Sequence, residues 1–493
     1  MPEMNTEILK FLESLNHAHA LQVAELQKVI DTQNESIREM QATISRLEET
    51  IRILTEKLNK NSKNSSKPPS SDGLKKPSPR SLRGKTNKKQ GGQDGHQGAN
   101  LPKMVPDRVI SCMPSKCAHC PKREECEKAA QVLEQRQVVD VITKTEVTAY
   151  NKMRVTNCPL HGWTRDGDFP SQIKAAVQYG DNLQALVVSF NTIGAVSITR
   201  IHEILSGIFN VPLSTGTISS MIERCADSLH DVLDRIGKCA IQQTVLHADE
   251  TGFRVDKKLN WAHVLCNEQY TLIRLHPKRG WEAMEEIGIL PLFHGILQHD
   301  CWGPYWKHPD VIHAVCCAHL LRELTGIEEN NPKLTWPKAF KELLLKMKKA
   351  RDKAFGNDRN ELSNYYQKKF SSEYDNIITA AYLETPVPEQ KPGKRGRKKR
   401  GKLLALIDRL NTYKASVCLF IKDFTVDFDN NQAERDLRMT KAKLKIAGCF
   451  RTRKGAEDYL GIMSYVYTAR KQGHNAYEAI LQAVKGTPEF IFE

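Results

Sequence analysis

Three carboxylates sit where their side chains could share metal ions. Asp249 ends the apolar run Val245-Leu246-His247-Ala248, and Asp300 ends Gly295-Ile296-Leu297-Gln298-His299. Glu434 lies in the helix-like stretch Asn430-Asn431-Gln432-Ala433-Glu434-Arg435. Carboxylate oxygens suit hard divalent cations, and two strand ends with one helix face can gather three of them. A pair of cations about 3.5–4 Å apart can activate an attacking oxygen and stabilise a leaving one, which is what cutting and joining a phosphodiester requires. The chain has 58 acidic residues, so an Asp…Asp…Glu order alone decides nothing. Position carries the argument, because a first and a fourth strand would be neighbours in the sheet described below. Glu250, Asp427 and Asp429 compete for the role, and the plainer reading of the two aspartates is that they cap strands.

Cationic side chains lie near these acids. Helical spacing from Glu434 brings Arg438 onto the same face, with Lys441 and Lys445 one and two turns further on and Arg435 adjacent. Such a stripe would meet a phosphate backbone or simply face water. The segment Cys316-Cys317-Ala318-His319-Leu320-Leu321-Arg322 would bring His319 and Arg322 to the mouth of the sheet, either to contact the scissile phosphate or to cap the next helix. A net charge of +15 suits a polyanion, nucleic acid or a membrane surface. No run approaches roughly eighteen uncharged apolar residues, so no membrane span is expected. The start Met1-Pro2-Glu3-Met4-Asn5 lacks the signal-peptide pattern, and the cytosol is the expected compartment.

The thirteen cysteines cluster. Cys117-Ala118-His119-Cys120 is matched by Cys158-Pro159-Leu160-His161, two knuckles that together offer four tetrahedral ligands for a structural Zn2+. Cys112 and Cys126 are substitutes for one ligand, and His119 is a bystander. Close-spaced cysteines with histidine nearby and no secretion pattern favour thiols and a metal over disulfides.

These groups need elements to position them. Ile30, Ile37, Ile44, Ile51 and Leu58 recur every seven residues; Leu26, Met40, Leu47 and Leu54 fill the alternate seam, with Gln33 the polar exception. Isoleucine at the first seam position and leucine at the second favour a parallel two-stranded coiled coil within residues 1–59 over a helix packed on its own domain. Residues 60–106, with Lys67-Pro68-Pro69-Ser70-Ser71, Lys75-Lys76 and Lys88-Lys89, read as a disordered basic linker. Residues 107–175 read as a small β-rich module with strands through Val138-Val139-Asp140-Val141-Ile142 and through Val147, Ala149, Met153 and Val155. A helical domain at 176–238 holds two helices about Val211-Pro212-Leu213, either a DNA-contacting helix-turn-helix or part of an all-helical core.

Strand patterns follow at 244–255, 259–266 and 270–275, then a helix at 281–287, strands at 293–299 and 311–317, and a helix at 320–329. Three successive strands and then alternating helix and strand describe a mixed α/β core of ribonuclease H type at 239–330 and 421–470. A helical insertion with a basic loop fills 331–420, and a C-terminal helix fills 471–493. The fold class is therefore multidomain α+β: coiled coil, zinc-binding β module and helical DNA-binding domain ahead of the ribonuclease H-like core.

The blocks His247-Ala248-Asp249-Glu250-Thr251, Cys317-Ala318-His319-Leu320-Leu321-Arg322 and Asp429-Asn430-Asn431-Gln432-Ala433-Glu434-Arg435 resemble the signature blocks of bacterial IS66-family insertion-sequence transposases. Asn64-Ser65-Ser66-Lys67-Pro68-Pro69-Ser70-Ser71-Asp72 and Gly91-Gly92-Gln93-Asp94-Gly95-His96 resemble the N-terminal region of one branch of that family, and the cysteine–histidine module resembles its zinc domain. The resemblance runs in order from about residue 55 to 485. It implies a DDE transposase in which Asp249, Asp300 and Glu434 hold two Mg2+ ions, with Mn2+ as a substitute, and His319 and Arg322 neighbour the site. It also implies binding of double-stranded DNA at element ends and target, cleavage, and joining of 3′ ends. A homodimer or higher oligomer, accessory transposition proteins and a bacterial, nucleoid-associated location complete the expectation. The alternatives are a catalytically inactive DNA-binding descendant and a ribonuclease H-like nuclease without strand transfer. Three departures stand out: His161 where cysteine is commoner, Cys301 where glycine is commoner, and a looser run from Lys441 to Gly448.

Overall fold

The computed structural model describes residues 2–61, 63–65, 103–117, 119–141, 143–156, 158–161, 163–386 and 401–492. Most of the expected basic linker and the basic loop at 391–400 lie outside the described residues.

In chain order, a long helix α1 (Pro2–Asn59) precedes a short helix α2 (Arg123–Ala129) and a two-stranded ladder, β1 (Arg154–Val155) with β2 (Arg165–Asp166). Helices α3 (Asp181–Asn191), α4 (Ile198–Phe209), α5 (Thr215–Asp227) and α6 (His230–Ile241) follow. The sheet is built from β3 (Val245–Val255), β4 (Lys258–Cys266) and β5 (Thr271–His276), then α7 (Trp281–Ile287), β6 (Ile296–His299), β7 (Ile312–Val315) and α8 (Cys317–Asn330). Next come α9 (Trp336–Phe355), α10 (Asn364–Glu384), α11 (Gly401–Thr412) and α12 (Lys414–Val417). The last helices are α13 (Asn431–Asp436), α14 (Arg438–Ala447), α15 (Arg453–Lys471) and α16 (Ala476–Lys485).

The chain divides into two compact units. The first comprises Met1–Pro79, Asp231–Leu444 and Cys449–Gly473. Its strands run in the order β5-β4-β3-β6-β7. β3, β4 and β5 pair antiparallel, whereas β3–β6 and β6–β7 are parallel. Both faces are covered, so apolar residues of these strands pack on either side. Phe253, Val264 and Ile273 pack with Ala433, Tyr459 and Met463 on one side. Leu246, Ala248 and Leu297 pack with Met284, Phe293 and Tyr305 on the other. β5 is an edge strand, and α15 satisfies its outward amides: Ser464 accepts from the Ile273 N–H at 2.8 Å and Thr468 from the Thr271 N–H at 3.0 Å. A larger apolar cluster joins α8 to α9, α10, α11 and the segment 417–428.

Helix α1 is in this unit, and its seam is bare: Ile30, Ile44 and Leu58 are 48, 55 and 86% exposed. The expected linker starts later than its composition suggests, because Asn64 is buried.

The second unit comprises Arg80–His230, Lys445–Gly448 and His474–Glu493. Its core is α3, α4 and α5 with α16. Ser197 caps α4 and Ser214 caps α5, each accepting a backbone N–H three residues on. Asn210, at a φ of 54°, ends α4 in a left-handed turn. The expected β-rich module is corrected here. Among the described residues of 107–175 the strands reduce to the two-pair ladder of β1 and β2, and the stretches about Val138 and Val147 are irregular. Their alternation finds no opposing layer: Val138, Val141 and Val147 are 96, 83 and 87% exposed.

Candidate active site

β3 and β6 carry the first two carboxylates. Their parallel register pairs Val245 with Ile296 and His247 with Gln298, an offset of 51 that, continued two residues, sets Asp300 beside Asp249. Asp300 follows the carboxyl end of β6, and Asp249 lies within β3 just past its paired stretch with β6, at the end where parallel strands present their ligand sites.

Glu434 reaches the same end on α13, and the loop before it is tied down strand by strand. Gln298 donates to the carbonyls of Asp427 and Asp429 at 2.7 and 3.0 Å. Asn430 donates to the Ala248 carbonyl at 2.8 Å and accepts from His247 Nδ1 at 2.9 Å. Its own backbone N–H meets Cys316 Sγ at 3.1 Å, and the Cys317 N–H meets the Phe428 carbonyl at 3.0 Å. Every one of these groups is buried or part-buried, so the bonds operate where water cannot replace them.

The electrostatics follow. Burial, then the charges of Glu250 and Asp300, push Asp249 up to about 8; Glu434 adds to the rise and Lys441 opposes it. Burial and Glu250 likewise raise Asp300. Among the described residues neither aspartate has a cationic side chain at ion-pair distance. Glu434 differs. Burial would raise it, but Arg322, donating at 2.9 Å, and His319, 3.6 Å away, hold it below its ordinary value. Burial and the Arg322 charge lower His319. Oxygen donors crowded without enough positive charge are what a hard cation would neutralise. Among the described residues no three His, Cys, Asp or Glu side chains are gathered closely enough to share an ion, and Glu434 is engaged with Arg322.

A match to the transposase IS66 family model spans residues 176–458, more than half of the chain and all three carboxylates. The chain belongs to the IS66 transposase family. A second model, a family of unknown function (DUF6444), matches residues 15–102. No curated protein is detectably similar to the chain.

In this IS66-family chain the competitors of the three acids are otherwise engaged. Glu250 is fully buried between Arg279, at 2.6 Å, and the Tyr305 hydroxyl, at 2.6 Å. Arg279 in turn lies between the rings of Trp261 and Trp302, 4.9 and 3.9 Å from their centroids. Asp427 is 3.9 Å from Arg351, and Asp429 accepts from the Asn431 N–H. Arg279, Tyr305, Gln298 and Asn430 were not singled out from the sequence. The only signal was an acid, Glu250, on an apolar strand beside Asp249, which needs a buried cation somewhere.

The basic stripe is divided. The helix is interrupted at Leu437, between α13 and α14. Lys441 acts on Asp249, Glu434 and His319, whereas the charge of Arg438 acts on Tyr467. Arg435, Arg438 and Lys445 are exposed.

The cysteine–histidine residues form two matching turns. The Cys120 N–H meets the Cys117 carbonyl at 3.2 Å, and the His161 N–H meets the Cys158 carbonyl at 3.2 Å. β1 and β2 flank the second turn, where His161 stacks on Trp163. Thiols and an imidazole at the ends of such turns are a donor set that suits zinc.

Proposed function

We propose that the chain is a DDE transposase that binds the inverted-repeat ends of its element, cleaves the DNA there and joins the freed 3′ ends to target DNA. The observation that carries the reading is the parallel register of β3 and β6, which, continued two residues, sets Asp249 beside Asp300. The strand order β5-β4-β3-β6-β7, with two antiparallel and two parallel pairings, supports a core of ribonuclease H type.

Asp249, Asp300 and Glu434 would hold two divalent cations, Mg2+ or Mn2+. Bound there, the ions supply a deprotonated water or 3′ hydroxyl and stabilise the leaving oxygen. Arg322 and His319 hold Glu434 in place, and Arg322 with Lys441 would present positive charge to the scissile phosphate. Both reactions are in-line displacements at phosphorus, first by water and then by the freed 3′ hydroxyl, so no covalent protein–DNA bond forms. Zn2+ on Cys117, Cys120, Cys158 and His161 would brace the module ahead of α3. The bare α1 seam supports pairing of two copies, and α4 and α5 with the basic residues support contact with the DNA backbone.

The test is cleavage and joining of a plasmid carrying the element ends. Asp249→Asn and Glu434→Gln should each reduce cleavage more than about a hundredfold, since even residues that merely orient a metal ligand cost 10- to 100-fold. Gel-shift binding of the ends should be unchanged. Retained cleavage refutes the assignment, cuts without joining favour a nuclease, and binding without cleavage by the unaltered chain favours an inactive descendant.

A further inference from the structure

Helix α8 carries a stripe that none of the chemistry above uses in full. His319, Arg322, Gly326 and Glu329 follow one another at spacings of three and four residues, so they share one face. At its start this face holds Glu434 through Arg322. At its end it receives the chain's own N-terminal region. Asn64 is 7% exposed, and its side-chain amide donates to Glu329 at 2.7 Å and to the Asn59 carbonyl at 2.9 Å. Asn64 Oδ1 accepts from the Asn61 N–H at 2.8 Å, and Asn61 Oδ1 accepts from the Lys63 N–H at 2.8 Å. The end of α1 is held as well: Asn59 donates to Asn330 at 3.4 Å, and Lys402 pairs with Glu56 at 2.7 Å.

Gly326 is what allows the approach. A Cβ at this position would stand 2.4 Å from the Asn64 carbonyl oxygen and 3.3 Å from the Asn64 Cβ. A helix interior ordinarily favours alanine over glycine. The glycine here costs the helix stability and gains room for a backbone.

We propose that Asn64 and its turn are a latch by which the N-terminal region fixes α8, and that Asn64 is a positioning residue acting on Glu434 through Gly326 and Arg322. This assigns a role to part of the segment matched only by a family of unknown function. It rests on the transposase reading only for its effect on cleavage; the latch itself is independent of that reading. Because α1 and its bare seam end at the same place, pairing of two copies would act on the acidic site through this contact.

The test uses the full-length chain with Gly326→Ala, and Asn64→Ala as a second variant that leaves α8 intact. Hydrogen exchange should show the Asn61 and Lys63 amides protected in the unaltered chain and released in both variants. Exchange through α8 and 430–436 should quicken with them. Cleavage of element ends should fall about tenfold in both, within the range by which residues remote from a site alter it, while circular dichroism shows both variants folded. Turn amides that stay protected in Gly326→Ala, or a released turn with unchanged exchange in α8 and unchanged cleavage, overturn the proposal. If the unaltered chain cuts no DNA but the exchange pattern changes as described, the latch stands and the transposase reading falls.

Discussion

Two regions of this chain carry equally suggestive motifs and are held in different ways. Around Asp249 and Asp300 the supporting side chains are bonded inside a packed sheet, from the Gln298 amide nitrogen beneath the loop to Arg279 beside Glu250. Around Cys117 and Cys158 no described residue of 103–175 is buried, and the turns are held by a few backbone bonds. Burial of apolar surface organises the first site before any ligand arrives. The second has no such support, and on the proposed zinc reading its order comes from bonds to a shared ion. A site of the first kind tolerates loss of its metal; one of the second kind does not.

Removing metal with a chelator is the strongest way to break that contrast. We expect one zinc per chain by elemental analysis, and loss of it with Cys120→Ser. The 107–175 region should then become fully open to protease while the sheet unfolds at its usual temperature. A protease-resistant module without zinc would erase the distinction.

Arg279→Ala probes the other side. It leaves Glu250 buried without its cation, which costs about 3 kcal/mol, the lower end for a broken buried pair because Arg279 is 36% exposed. Urea unfolding of the sheet unit should record it. A loss under about 1 kcal/mol would mean that the Tyr305 hydroxyl alone suffices.

Acid should separate the regions more gently. Burial, chiefly, with the charges of His276 and Arg279, lowers His263 to about 4, and burial lowers His299 as well. The unfolded chain takes up these protons near pH 6.5. Between about 6.5 and 4 the unfolded state therefore binds more protons, and the sheet loses stability as pH falls, by about 3 kcal/mol for His263. His263→Gln should flatten that slope; an unaltered slope would assign acid lability to other groups.

The elements of the sheet were legible because burial on both faces writes itself into the sequence. The helix expected at 281–287 is found at Trp281–Ile287, and the strand expected at 244–255 at Val245–Val255. The three acids were singled out from apparent strand ends and a helix face; the structure sets Asp249 within β3, Asp300 just past β6 and Glu434 on α13. Their supports were not, because these pairs join residues far apart in the chain: 29 residues for Arg279 and Glu250, 55 for Tyr305 and Glu250, 129 for Gln298 and Asp427. Nothing periodic marks such a pair. The alternation about Val138 and Val147 misled for the opposite reason, since a strand pattern needs a neighbouring strand to become one. The expected stripe assumed one continuous helix, and the helix is interrupted at Leu437.

The central claim is that Asp249, Asp300 and Glu434 converge on shared cations. Fe2+ substituted for Mg2+ generates short-lived hydroxyl radicals that cut backbone only near the bound ion, and mass spectrometry reads the cuts. The account predicts cuts beside all three residues, lost together in Asp249→Asn and competed by Mg2+. Cuts confined to one of the three, or surviving that substitution, would contradict it.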